Sequence, residues 1–396
     1  MLSKKIDLIT PSFTIGISSK VNMLRKNGET IIDLSIGEPD FTTPVSGKDK
    51  AFEAINLNMT KYDLVPGLLP LREAICHKLS TENQVKYLPS EIVASSGAKN
   101  AITNALMAVL DPGDEVLVPS PYWTSYPEMI KLCHGQPVIV NTEKANDYKL
   151  NVKQLHEAVT SKTKLLLINN PSNPTGSVYS KEELTPLIDY CVSHNILILA
   201  DEIYEKIHFE ETFTSIPSIS EAAKNMTILV NGFSKSAAMT GWRLGYTASN
   251  AKIAASISTI QGHLTSHPST IAQWAGLGAL EAGENEMQEM IKTYKHRRDQ
   301  LIPMLENLPK VDFVNPKGAF YLFLDLSQYK YAFKDEPSFS IALCDRFLSE
   351  YKVAVVPGIA FGNDDCIRIS YATKIEWVID GLNRLKSFLE SLENAK

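Results

Sequence analysis

Cysteine is scarce in this chain of 396 residues, at Cys76, Cys133, Cys191, Cys344 and Cys366. No CxxC pair occurs, which excludes a zinc ribbon, and the odd count argues against a disulfide framework. A reducing, cytoplasmic setting is expected. No run approaches the ~20 apolar residues that cross a bilayer. The N-terminal MLSKKIDLITPSF, broken by Asp7 and Pro11, lacks the apolar centre of a secretory signal. No membrane partner is therefore expected. An excess of positive charge is also missing: the net charge is -6, which speaks against a nucleic-acid partner. Repeats and low-complexity segments are absent too. What remains is an ordinary globular composition, 44% hydrophobic and 21% charged, long enough for two or three domains.

Through the middle of the chain, short apolar runs alternate with helical patterns. DEVLVPS (114–120), TKLLLINN (163–170), NILILADE (195–202) and MTILVNGFS (226–234) are rich in Leu, Ile and Val and lack period-two alternation. This is the pattern of parallel strands covered on both faces. The helical stretch 180–195 opens with Ser180 and Glu183, a capping box. Strand and helix in alternation predict an α/β fold with a large, doubly wound, mostly parallel sheet. AFYLFLDL (319–326) and DCIRISYA (365–372) read instead as strands of a smaller α+β unit, with helices over roughly 284–308 and 376–392. The expected division is a large domain over 46–285 and a small one built from 1–45 and 286–396.

Ligands of such sheets sit beyond the carboxyl ends of the strands. There LLLINN runs into PSNPTG with Asn173, ILILA into DEIYE with Asp201 and Tyr204, and ILVNGF into Ser234 and Lys235. Singly, Asp201 reads equally as a helix cap and NPTG as a turn; their joint placement favours a site. Ser95, Ser96, Gly97 and Ala98 end another apolar run where a helix begins, a place that suits an anion, although serine is also a common cap.

The stretch NGFSKSAAMTGWRLGY (231–246) places Lys235 and Arg243 with no carboxylate near them in sequence. A lysine in an apolar site loses its proton readily and its amine becomes a nucleophile toward carbonyls. Arg243 and Ser234 suit a phosphate. A phosphate-bearing aldehyde served by a lysine, a carboxylate and an aromatic platform is pyridoxal 5'-phosphate. Asp201 would pair with its ring nitrogen, Tyr204 and Asn173 with its phenolic oxygen, and Trp123 would stack on the ring. A plain buried tryptophan is the competing account of Trp123.

With these residues in place, the chain resembles the class I/II aminotransferases, the fold type I pyridoxal phosphate enzymes, and within them the bacterial aspartate aminotransferase branch. GFSKSAAMTGWRLG, NNPSNPTG, DEIYE, SIGEPDF, KYDLVPGLLPLREAI, DPGDEVLVPSPYW, NPKGAFYLF and IRISYA stand in the family's order over nearly the whole length. The resemblance implies that Lys235 holds the cofactor covalently and then moves the substrate's α-proton. It implies that Arg243, Ser234 and the Ser96–Gly97–Ala98 turn bind the phosphate. Tyr62 would reach the phosphate of the other subunit of a homodimer. Arg368 would grip the substrate α-carboxylate, supported by Asn173 and the backbone of Gly37; a surface ion pair is its competing role. The implied reaction passes the amino group of an L-amino acid to 2-oxoglutarate in two half-reactions.

The donor is less determined. Aspartate leads by similarity, yet a cation for a distal carboxylate is not evident: Gly262 stands where one branch has an arginine, and the helix after the phosphate turn continues NALMAVL. Aromatic amino acids and a carbon–sulfur β-lyase reaction remain as alternatives. A non-catalytic regulator would need a DNA-binding segment for which no length is spare. His263 and His267 have the spacing of a metal pair but lack a third ligand. GLGALE (276–281) reads as close helix packing rather than a dinucleotide loop. Lys99 could approach the phosphate turn, but reads more readily as a solvated helix lysine.

Overall fold

The computed structural model describes residues 2–210, 212–281 and 285–394. Its main sheet has seven strands in the order Ile92–Ser95, Gly245–Ala248, Thr227–Gly232, Leu197–Asp201, Thr163–Asn169, Glu115–Ser120 and Gln136–Asn141. All neighbours are parallel except around Gly245–Ala248, which runs against both of its partners. The missing alternation in the apolar runs has a direct cause. Leu166, Ile168, Ile198, Ala200 and Leu229 enter one core, while Leu165, Leu167, Leu199, Ile228 and Val230 enter another on the opposite face. Both faces are apolar because both are covered.

Helices Leu69–Thr81, Lys181–Ser193 and Thr270–Glu281 supply the first core. Ala98–Val109, Tyr126–Leu132 and Ala251–Leu264 supply the second. The expected capping box forms: Ser180 Oγ accepts from Glu183 N–H, and Glu183 Oε2 accepts from Ser180 N–H. GLGALE lies inside the Thr270–Glu281 helix. A Cβ on Gly276 would collide with Leu244, and one on Gly278 with the Ser46 carbonyl. Close helix packing is therefore the role of these glycines.

A second, antiparallel sheet has the order Val356–Pro357, Cys366–Ser370, Tyr321–Asp325, Asp312–Phe313. Helices Asn285–Glu306, Phe339–Tyr351 and Ile375–Asn394 pack over it through Tyr294, Leu301, Phe347, Leu385 and Phe388. The long helix begins at 285 among the described residues; residue 284, where the pattern was expected to start, lies outside them. Ile32–Asp33 pairs in parallel with Val353–Ala354. The helix Phe13–Lys26 buries Val21 against Ile31, Leu348 and Ala354. The N-terminal segment is thus tied to the C-terminal part of the chain. All five cysteines are free thiols, and no described helix is long and apolar enough to cross a membrane.

Candidate active site

The register of the main sheet sets Asn169 level with Asp201, and the Thr227–Gly232 strand ends just before Ser234 and Lys235. These strand ends open into a cavity of about 490 Å³, a size that suits a small cofactor with its substrate. Asn173, Asp201, Tyr204, Ser234, Lys235 and Arg243 line it from the main sheet, and Arg368 reaches it from the second sheet. Gly37, Ala98 and Trp123 complete the sequence-predicted residues that share it.

Asp201 is 3% exposed. Its Oδ2 accepts from Tyr126 Oη–H at 2.6 Å and its Oδ1 from Ile203 N–H at 3.2 Å. Burial nevertheless pushes its carboxyl up to about 6, against the pull of those two donors and of Lys235. The carboxylate is therefore short of a cationic partner. Burial also brings Lys235 down to about 8, helped by Arg368 and Arg243 and opposed by Glu38 and Asp201. Lys235 Nζ donates to the Gly37 carbonyl at 2.5 Å and stands 5.9 Å from the Tyr204 ring centre. Such an amine has a far larger neutral fraction near pH 7 than an ordinary lysine, and the neutral form attacks a carbonyl. Tyr204 Oη meets Tyr321 Oη at 2.7 Å, and burial holds the Tyr204 hydroxyl protonated well above the usual range.

Arg368 is 3% exposed and has no carboxylate partner among the described residues. Its Nη1 donates to Asn173 Oδ1 at 3.2 Å and its Nη2 to the Ser35 carbonyl at 2.6 Å. The Tyr321 ring lies 4.5 Å below the guanidinium. Its buried Nε finds no hydrogen-bond partner among the described residues. A buried guanidinium that lines a cavity without an ion-pair partner among the described residues suits an incoming carboxylate. The carbonyl that braces the guanidinium itself is that of Ser35, and Gly37 lines the cavity beside it. Gly37 is needed for space: a Cβ there would meet Tyr321 Oη at 2.5 Å.

The anion end has a shape of its own. Ser96 N–H donates to Asn100 Oδ1 at 3.2 Å and Gly97 N–H to the Ser95 carbonyl at 2.7 Å. These two N–H groups are thus used inside the turn, and Ala98 is the member of the trio that lines the cavity. Gly97 contributes through its backbone. Its φ of +88° starts the Ala98–Val109 helix, and a Cβ there would stand 2.6 Å from Arg243 Nη2. Arg243 is itself held at a φ of 54° and donates to the Thr240 carbonyl at 2.8 Å. A guanidinium pressed against the start of a 12-residue helix makes an anion cradle. A phosphate for the cradle, a cation for Asp201 and a carbonyl for Lys235 are what pyridoxal phosphate provides, so the residues fit that cofactor.

Several participants were not evident in the sequence. Tyr126 lies 75 positions from the carboxylate it holds. Tyr321 comes from the second sheet, and Ser35 from just beyond the Ile32–Asp33 strand. Lys99 is not merely solvated: it lines the cavity, with Nζ 4.9 Å from the Trp123 ring centre. Burial, then Arg243, lowers its ammonium pKa. Trp123 meets Tyr126 edge-on at 5.2 Å. Tyr62 does not line the cavity of its own chain; it is 90% exposed, its ring edge against His267.

Known proteins match this chain over nearly its whole length. The family described as aminotransferase class I and II matches residues 29–382. An aspartate aminotransferase of Bacillus subtilis is 40% identical over 98% of this chain and 99% of its own. A probable aspartate/prephenate aminotransferase of Aquifex aeolicus is 41% identical, covering 99% of both chains. Among solved structures, an aspartate aminotransferase from Thermus thermophilus with maleate superposes with a TM-score of 0.91 at 37% identity, over 98% of this chain and 99% of that one.

Proposed function

The chain belongs to the class I and II aminotransferases, and from that premise we propose that it uses pyridoxal 5'-phosphate to move the amino group of L-aspartate to 2-oxoglutarate. One observation carries the choice of donor. The cavity is lined by four cationic side chains, Lys99, Lys235, Arg243 and Arg368. Phosphate, aldehyde and α-carboxylate account for three of them. Lys99, beside Trp123, remains for a second, distal carboxylate. Relatives named for aspartate, and a structural relative with the dicarboxylate maleate, support the same reading. Their names also favour amino transfer over β-lyase chemistry.

The bound cofactor supplies an aldehyde that takes up the amino group and a protonated ring that accepts the electron pair freed at the α-carbon. Everything else falls to the chain's own residues. Asp201, buried and short of a cation, keeps the ring nitrogen protonated, and Tyr126 holds it in place. Tyr204 donates at the phenolic oxygen, with Asn173 beside it. Arg243, Ser234 and the Ser96–Gly97–Ala98 turn fix the phosphate. Trp123 covers the ring. Arg368 orients the substrate by its α-carboxylate, steadied by Asn173 and Ser35. Lys235 Nζ, its pKa lowered by burial, moves the proton that leaves the α-carbon.

Two further assignments belong to this reading. The enzyme is a homodimer in which Tyr62 reaches the neighbouring phosphate, because an almost fully exposed tyrosine has no task in its own site. The large domain spans 46–285 and the small one 1–45 with 286–396; residues 282–284, beside that boundary, lie outside the described residues. The donor is tested by Lys99→Met, which keeps a stem over Trp123 and loses the charge. The expected kcat/KM with L-aspartate falls on the order of 10- to 100-fold, the worth of one charge-assisted contact, and that with L-phenylalanine stays level. Equal losses on both donors would remove Lys99 from the distal site. A wild-type preference for phenylalanine would remove aspartate.

A further inference from the structure

Residues 62–68 form the strap that carries Tyr62. Three side chains some 200 positions away in sequence hold it. Gln261 Nε2 donates to the Val65 carbonyl at 2.7 Å. His267 Nε2 accepts from Asp63 N–H at 3.1 Å. Gln273 Oε1 accepts from Leu68 N–H at 2.7 Å. His267 Nδ1 lies 2.8 Å from the Pro268 carbonyl. The pair of contacts assigns the proton to Nδ1 and leaves Nε2 as the acceptor. The same imidazole packs edge-on against Tyr62, with ring centres 5.9 Å apart.

Gln261 does more than hold the strap. It is fully buried. Its Nε2 also donates to the Ala94 carbonyl at 2.8 Å, and its Oε1 accepts from Ser95 Oγ–H at 2.6 Å and from Asn104 Nδ2 at 3.1 Å. All four hydrogen-bonding positions of the amide are therefore used. Ser95 opens the turn that runs through Ser96 and Gly97 to Ala98. Asn104 is paired with Asn100, the residue that accepts the Ser96 N–H. A single buried amide thus grips the anion turn of its own cavity and the strap that points away from it. A fully satisfied buried network of this kind fixes geometry, and any member left unpaired is penalised.

We propose that Gln261 and His267 are positioning residues for the cofactor phosphate. Gln261 sets the Ser95–Ala98 turn in its own subunit and braces the strap. His267 aims Tyr62 at the phosphate of the neighbouring subunit. This rests on the cofactor and dimer assignments above. The energetic consequence is confined to the phosphate, since neither residue touches the part of the cavity that would hold the ring.

The test is titration of the cofactor-free enzyme with pyridoxal phosphate and, separately, with pyridoxal, which lacks the phosphate. Gln261→Glu keeps the shape and loses the two donated bonds; His267→Phe keeps a ring against Tyr62 and loses the acceptor. Each is expected to weaken pyridoxal phosphate on the order of tenfold, one hydrogen bond's worth, while pyridoxal changes less than about twofold on the same scale. In a Tyr62→Phe background His267→Phe should add nothing further, whereas Gln261→Glu should still act through its own turn. Equal weakening of both ligands would show a merely structural role and overturn the proposal, as would no weakening. Independent, multiplying effects of His267→Phe and Tyr62→Phe would overturn it as well. If Gln261→Glu fails to fold, His267→Phe alone still decides. A wild-type protein that takes up neither ligand would sink the cofactor assignment instead, and a Tyr62→Phe variant with unchanged affinity would sink the shared site.

Discussion

Replacing Asp201 by asparagine removes a charge that the fold buries unfavourably. A carboxyl whose folded-state pKa is raised keeps its proton longer in the folded than in the unfolded chain. Folding is then penalised as soon as pH passes the unfolded value, and the full penalty is reached above the folded one. For Asp201 these bounds are 3.8 and about 6. Roughly two pKa units at 1.36 kcal/mol each amount to about 3 kcal/mol at pH 7 and above, and to less than about 1 kcal/mol at pH 4. Asparagine would keep the bond from Ile203 N–H, and its amide would face the Tyr126 hydroxyl. The rearranged hydrogen bond costs about 1 kcal/mol. The cofactor-free Asp201→Asn protein should therefore be about 2 kcal/mol more stable than wild type at pH 7–8, with the advantage gone at pH 4, while amino transfer is lost. Urea unfolding of both cofactor-free proteins across that range measures it. A stability difference that does not change with pH would refute the claim that Asp201 is an under-compensated buried charge awaiting a cationic partner.

Two other outcomes follow from the same geometry. Lys235 attacks as the neutral amine and titrates at about 8. The rate at which cofactor-free protein takes up pyridoxal phosphate, followed by absorbance, should thus rise about tenfold per pH unit below 8 and level off above it; a flat profile from pH 6 to 9 would contradict the assignment. Gly97→Ala forces a Cβ onto Arg243 at a φ of +88°, so pyridoxal phosphate affinity should drop by at least about tenfold, on the scale of the strain at such a position, with pyridoxal affinity far less affected.

Much of the site was legible because parallel strands end at one edge, and polar residues placed just after apolar runs must meet there. Asn173, Asp201, Tyr204, Ser234 and Lys235 were found by that rule alone. The capping box at Ser180 and the packing glycines of 276–281 were readable from local spacing. Tyr126 was not, because nothing local distinguishes a tyrosine whose hydroxyl finds a carboxylate 75 positions away. Lys99 is exposed, as a helix lysine was expected to be, but that it also lines the cavity could not be read from the helix pattern, because its direction depends on where the cavity lies beyond the helix start. The four-residue Gly245–Ala248 strand was missed because its reversal between two strands leaves no periodic signal. Gln261 escaped notice because a buried amide on a helix looks like any polar residue until its four partners are known.

The account turns on Lys235 holding pyridoxal phosphate in a site that accepts aspartate. The most direct measurement is the absorbance spectrum of the purified protein before and after L-aspartate, and again after 2-oxoglutarate. A yellow protein that bleaches with aspartate and recovers its colour with the keto acid is the predicted result. A colourless protein that cannot take up the cofactor would contradict the role given to Lys235, and a yellow one that aspartate leaves unchanged would contradict the donor.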